Sequence, residues 1–391
     1  MIVVRFLKRM AIGLAIGGIL WGGAMTCNPS DLPRAGASAH SWAKEPKNII
    51  LLIGDGMGLA QISASLYSSD NRSVFESFTV IGFHKSFSAS DLITDSAAGA
   101  TAFACGIKTY NNAIGLSADT LPCYTILEEA EEHGLATGLV ATSSITHATP
   151  AAFIAHQPFR TMYEDIAADF LQTEIDLFIG GGKKYFDRRQ SDERDLIAEL
   201  RSKGYTVNDY FYSDLSLYSK FDPSKNFVFF TSDDKPVLAM QGRNYLPLAA
   251  KLAPPFLRER SKKGFFLMME GSQIDWQCHA NNGYSLLPEM KDFEDAVANV
   301  LRFALEDRET LVIVTADHET GGLAINPGSK LNKLDLAFTT NGHTAALIPV
   351  FALGPGAEAF SGIYENTALY RKMREAFGWA TIAAPPTTGM N

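Results

Sequence analysis

Short runs of consecutive apolar residues recur along the chain at 48–53, 136–141, 176–180, 265–269, 310–315 and 348–353, each bounded by Gly, Pro or Asp. A run without polar alternation reads as a strand covered on both faces, the habit of parallel sheets. Amphipathic stretches such as Tyr124 to Glu132 and Glu289 to Leu305 separate several of these runs. The alternation predicts an α/β fold with a central, mostly parallel sheet and helices on both faces. Ligands of such sheets gather beyond the carboxyl ends of the strands. The polar residues that close each run are therefore the ones to read for chemistry.

The 391 residues, 46% hydrophobic and 20% charged, are ordinary for a folded enzyme and too apolar for a disordered chain. One catalytic domain is expected over 48–380, preceded by a linker at 27–47 rich in Pro, Ala, Ser and Gly and followed by a disordered tail at 381–391. The N-terminus departs from this pattern. Arg5, Lys8 and Arg9 precede an apolar run from Met10 to Met25, which reads as a signal for export over residues 1–26. The run is short of the roughly 20 residues that span a bilayer, which disfavours a retained anchor. Ala24-Met-Thr-Cys27 loosely resembles a lipoprotein processing site, while Ala37-Ser-Ala39 suits ordinary signal peptidase. The expected destinations are the periplasm, the outer membrane as a lipoprotein anchored through Cys27, or the medium. Without the first 26 residues, 31 basic residues face 43 acidic ones, a formal charge of −12 that argues against nucleic-acid binding. Cys105, Cys123 and Cys278 show no CxxC spacing, so no structural zinc cluster is expected. A Cys105–Cys123 disulfide and buried free thiols both remain open.

Four places carry candidate chemistry. Asp55 closes the first run within Gly54-Asp-Gly-Met-Gly58, where small neighbours allow close approach of an ion, although Gly-Asp-Gly is also common turn material. Ser96 follows Asp95 and opens a small-residue stretch that should be helical. Its ordinary reading is part of a helix cap, but a helix N-terminus also favours an alkoxide and a phosphoryl group. Glu270 closes the 265–269 run, and Asp275 and His279 stand four apart, on one face if that segment is helical and able to share a divalent ion. Asp317 and His318 follow the 310–315 run, and His343 precedes the last one. His40, His84, His133 and His156 lack a partner pattern and read as structural or surface residues. Arg160 by itself would be an exposed-face cation. No function is inferred for Lys183 to Pro254, which is expected to form peripheral loops and short helices.

Asp95-Ser-Ala-Ala98, Ala316-Asp-His318 and Gly342-His-Thr344, in this order, resemble the alkaline phosphatase family, and the resemblance runs from about Asn48 to about Gly356. It implies a phosphomonoesterase that forms a phosphoseryl intermediate on Ser96, with Arg160 gripping the phosphate. It implies one zinc ion held by Asp275, His279 and His343, and a second held by Asp55, Asp317, His318 and Ser96. A magnesium site would use Asp55, Thr149 and Glu270. Two residues depart from the best-known bacterial pattern: His147 stands where that pattern has Asp, and Trp276 where it has Lys. Both are expected close behind the ligands or near the phosphate, leaving open the third ion's identity and hydration and the choice of zinc or cobalt. Small-molecule phosphate monoesters are the expected substrates, and the resemblance implies a homodimer. The competing classes are a phosphodiesterase or sulfatase of the same superfamily, whose usual Thr or Cys/Ser-x-Pro-x-Arg nucleophile segment does not surround Ser96, and a binding protein without catalysis.

Overall fold

The structure is a computed structural model that describes residues 41–380. The expected export signal, Cys27, most of the linker and the tail lie outside the described residues. In chain order the strands are β1 (Asn48–Gly54), β2 (Val80–Lys85), β3 (Ala136–Ser144), β4 (Leu177–Gly181), β5 (Thr206–Asp209), β6 (Phe227–Phe230), β7 (Phe265–Gly271) and β8 (Thr310–Thr315). Four short strands follow, β9 (Glu319–Thr320), β10 (Leu323–Ile325), β11 (Leu336–Phe338) and β12 (His343–Thr344), then β13 (Ile348–Leu353) and β14 (Gly362–Glu365). One sheet holds ten of these strands in the order β14-β2-β13-β8-β1-β7-β3-β4-β6-β5. Its pairings are parallel except those of β13, which runs against both β2 and β8. All six apolar runs are strands of this sheet.

The period-two geometry of a strand divides the apolar residues between two faces. Ile50, Leu52, Leu267, Met269, Val312 and Val314 pack on one side with the helices Tyr245–Arg260 and Gly283–Asp307. Ile49, Leu51, Ile53, Phe266, Met268, Leu311 and Ile313 pack on the other with the helices Ser96–Cys105 and Ile126–Glu132. Parallel register aligns the strand ends. Ile53 stands opposite both Glu270 of β7 and Thr315 of β8, so the segments after β1, β7 and β8 leave the sheet side by side.

The segment 183–254 differs from the expectation of loops and short helices alone. It supplies β5 and β6 and the start of a 16-residue helix, Tyr245–Arg260. The two strands have four residues each, too short for periodicity to stand out, and the helix contains Pro254 and Pro255, which read as breakers. The last linker residues are tied to the sheet: the Ala43 and Lys47 amides donate to the Arg308 and Glu309 carbonyls at 3.0 and 2.9 Å. Cys105, Cys123 and Cys278 are free thiols, and Cys105 Sγ donates to the Cys123 carbonyl at 3.7 Å. No helix among the described residues is long and apolar enough to cross a membrane.

Candidate active site

Local sequence explains how each candidate reaches the carboxyl edge. After β1 the chain must turn sharply, and Gly56 does so at φ +73°, where a Cβ would also meet Asp275 Cα at 2.9 Å. The turn delivers Asp55, fully buried, and aims the Gly56 amide at Asp317 Oδ1, 3.2 Å away. Asp95 caps the helix Ser96–Cys105 by accepting from the Ala98 amide at 3.0 Å, which fixes Ser96 as its first residue. Glycine and alanine in that helix let it lie close to β8: a Cβ on Gly99 would meet Asp317 Cβ at 3.1 Å. Asp275 and His279 lie on the helix Gln273–His279, so the condition for their four-residue spacing to share one face is met. Pairing of β9 with β12 sets Thr320 opposite His343 and carries that histidine back beside His318.

The side chains converge. Ser96 Oγ lies 3.3 Å from His318 Nε2 and 3.5 Å from Asp55 Oδ2. His318 Nε2 is 3.5 Å from Asp55 Oδ1 and 3.2 Å from Asp317 Oδ2. The rings of His318 and His343 stack at 3.5 Å. His279 Nδ1 lies 2.6 Å from the Asn341 carbonyl, and His343 Nδ1 lies 2.8 Å from that of Thr94. A carbonyl only accepts, so each Nδ1 carries a proton and each neutral ring presents its Nε2 lone pair. Those Nε2 atoms face each other at 3.1 Å, with Asp275 oxygens 3.3 Å from His279 and 3.6 Å from His343. Three electron-pair donors aimed at one place suit a divalent cation.

Among the described residues, three sets bring ligand atoms close enough to share an ion: Asp275, His279 and His343; Asp55, Asp275 and His318; and Asp55, His147 and Glu270. A second observation agrees. Asp55 Oδ1, His147 Nδ1, Thr149 Oγ1, Glu270 Oε1 and Asp317 Oδ2 are buried without a hydrogen-bond partner. Buried polar atoms rarely stay unpaired, and carboxylate oxygens that have nothing to accept fit a cation. His147, expected behind the ligands, thus lies at ligand distance in the third set, while Trp276 stays one layer back with its ring edge-on to His147 at 5.8 Å.

Electrostatics point the same way. Burial, followed by the charges of Asp317, Asp275 and Glu270, raises the Asp55 carboxyl well above its usual range. Burial likewise raises Glu270 to about 7 and Asp317 to about 6. Asp275 goes the other way: burial opposes ionisation, but its contacts with His279, His318 and His343 hold it below the usual carboxylate range. The Asp275 hydrogen bond raises His279 to about 9, so a proton occupies that place when no metal ion does. Burial, then the charge of Arg160, lowers His147 to about 3, and Lys235 acts in the same direction. Arg160 donates to Asp95 Oδ2 at 2.9 Å and approaches His147 Nε2 at 3.3 Å. Burial weakens its charge, but Asp95 more than restores it.

Several contributors were not legible in the sequence. Thr320 donates to Asp275 Oδ1 at 2.5 Å and lies 3.2 Å from His318 Nδ1. Its signal is its place two residues after His318 in an extended segment, which returns a side chain to the same face. Buried His84 donates from Nε2 to the Ala316 carbonyl at 2.9 Å, just before Asp317. Lys235 comes from the loop after β6, and nothing in its local sequence marks it.

A serine at a helix N-terminus, beside clustered carboxylate and imidazole donors and a paired arginine, defines an α/β hydrolase built for metal-dependent phosphoryl transfer. The family model described as alkaline phosphatase matches residues 46–336. Alkaline phosphatase 3 of Bacillus subtilis is 34% identical, over 85% of this chain and 89% of that protein. The alkaline phosphatase of Escherichia coli is 30% identical, over 86% of this chain and 87% of its own. The structure of alkaline phosphatase from the Antarctic bacterium TAB5 superposes with a TM-score of 0.80 at 45% identity, covering 86% of this chain and 99% of that one. The chain belongs to the alkaline phosphatase family, whose members are metal-dependent hydrolases of phosphate monoesters.

Proposed function

We propose that Ser96 is the nucleophile of two successive in-line displacements. Its oxygen attacks phosphorus, the ester oxygen leaves as the alcohol, and Ser96 becomes phosphoserine. Water then attacks from the side the alcohol vacated, releasing phosphate and restoring the hydroxyl. The N–H groups at the start of the Ser96 helix offset the charge that gathers on the phosphoryl oxygens. Arg160, held by Asp95 through one nitrogen, keeps further N–H groups for two equatorial oxygens.

Asp275, His279 and His343 would hold one zinc ion, and Asp55, Asp317 and His318, with Ser96, a second. Asp55, Thr149 and Glu270 would hold magnesium, and cobalt can stand in for zinc. The bound ions supply charge neutralisation and Lewis acidity that lower the pKa of hydroxyl groups at the site. His147 beside Asp55 and Glu270 offers imidazole, a donor that suits zinc or cobalt better than magnesium. Two mutants of the TAB5 enzyme, with a histidine replaced by Glu or Asp, bind magnesium in a site called M3. We take His147 as the residue that decides the third ion here.

The observation that carries this reading is the convergence of His279 Nε2 and His343 Nε2, 3.1 Å apart, on the oxygens of Asp275, in the same cluster as Ser96, Asp55 and His318. The test is hydrolysis of an aryl phosphate monoester at mildly alkaline pH, after stripping with chelator and resupply of zinc, cobalt or magnesium. Activity should vanish and return with metal. A folded, metal-loaded protein active only on diesters or sulfate esters rejects the reading.

The reading includes broad tolerance of the leaving alcohol, a homodimer, and export with either a lipidated Cys27 or a mature end after Ala39. Sedimentation and mass spectrometry of the mature N-terminus test the last two.

A further inference from the structure

The loop after β6 crosses the carboxyl edge toward the site and is pinned on both sides of Lys235. The Asp234 carbonyl accepts from the Gly182 amide at 2.9 Å. The Pro236 carbonyl accepts at 3.1 Å from Gln273 Nε2, which also donates to the Thr142 carbonyl at 2.8 Å. Gln273 is fully buried and opens the helix that carries Asp275 and Trp276, so the loop and the site share one rigid support.

The side chains around Lys235 leave its charge uncommitted. Asp233 pairs with Arg188 and Asp234 with Lys184, and among the described residues no carboxylate lies within salt-bridge reach of Lys235. Its ammonium stands 5.0 Å from the centre of the Trp276 ring, a cation–π contact that holds the amine in place while leaving its N–H groups to donate elsewhere. The Trp276 ring meets His147, and His147 meets Arg160. Arg160, His147, Trp276 and Lys235 thus form a continuous rim, with a cation at each end. Lys235 is exposed, so the rest of the amine faces solvent.

We propose that Lys235 is a second substrate-attracting cation at the rim of this site, drawing the phosphate dianion of the ester, or inorganic phosphate, toward Arg160 and Ser96. The inference rests on the monoesterase reading above. Because the amine is exposed, its effect belongs to binding and encounter more than to the chemical step.

The test compares Lys235→Met and Lys235→Arg with the parent holoenzyme, using an aryl phosphate monoester and inorganic phosphate as probes. Lys235→Met should raise KM and the phosphate inhibition constant together by roughly three- to tenfold and leave kcat within about twofold. It should also flatten the dependence of kcat/KM on ionic strength. Lys235→Arg should restore all three. Unchanged KM, inhibition constant and salt dependence in a Lys235→Met protein that melts like the parent overturn the proposal while leaving the monoesterase reading intact. So does Lys235→Arg behaving like Lys235→Met, which assigns the effect to packing on Trp276. A parent enzyme inactive on monoesters defeats both readings.

Discussion

Ser96 has an ordinary hydroxyl, and nothing in its covalent structure makes it a nucleophile. Its reactivity would come from its place: first residue of a capped helix, 3.3 Å from His318 and 3.5 Å from Asp55. Ser96→Ala should therefore keep affinity for phosphate, since Arg160 and the ligand sets remain, while turnover falls by at least about a thousandfold. Acid quenching with labelled substrate should trap phosphate on the parent enzyme and none on the variant; equal turnover in the two proteins removes Ser96 from its role. Residue by residue, the site was legible where a polar side chain closes an apolar run, as with Asp55, Glu270, Asp317 and His318. It was illegible where a contact depends on a return loop. His147, which the family resemblance places only close behind the ligands or near the phosphate, comes within ligand distance of Asp55 and Glu270 through the turn after β3, and Lys235, which nothing in the sequence marks, sits on a loop that Gln273 anchors.

The helix Ile126–Glu132 shows how one element is locked in place. Thr125 and Glu128 form a reciprocal cap at 3.1 and 2.9 Å, and Glu128 also accepts from His156 Nε2 at 3.0 Å. The other nitrogen of His156 donates to the Gly115 carbonyl at 2.8 Å, so both ring nitrogens meet acceptors and the ring is held as a cation. Burial opposes that charge, but the Glu128 and Gly115 hydrogen bonds raise His156 to about 9. A folded pKa above the ordinary 6.5 gives stability that is complete below 6.5 and lost as pH rises through about 9. His156→Gln should accordingly cost roughly 1–2 kcal/mol at pH 6 and clearly less at pH 10. Urea midpoints of both proteins at the two pH values check this, and a penalty independent of pH rejects the charged pair. Elements, like residues, were legible in proportion to their signal. The six long apolar runs became strands, whereas β5, β6 and the Pro254–Pro255 helix lacked length or carried apparent breakers.

At the scale of the whole molecule, the sheet concentrates charge that the folded chain alone does not neutralise. Asp55, Glu270, Asp275 and Asp317 are all buried at the carboxyl edge of three adjacent strands, and the charge of Arg160 offsets only part of the repulsion that Asp55 meets there. In the metal-free protein the protons held by this cluster substitute for ions. The sign of the pH dependence follows from them. Asp55 well above its usual range, Glu270 at about 7 and His279 at about 9 all bind protons more tightly folded than unfolded. The folded state therefore carries more protons between pH 6.5 and 8, and stability falls as pH rises across that window. Below 6.5 the buried His84 and His318 and the half-buried His147, all neutral in the fold, act in the opposite sense, because unfolding lets them take up protons. Metal ions displace the protons of the cluster, so the loaded protein should lose most of this slope and keep the part due to groups such as His156. The measurement is the melting temperature of chelator-stripped and zinc-loaded protein at pH 6.5, 7.2 and 8.0. Stripped protein should melt lower throughout, with the gap widening toward pH 8. A constant gap would mean that the carboxylates are already ionised without metal, and that the cluster is held by solvent rather than prepared for ions.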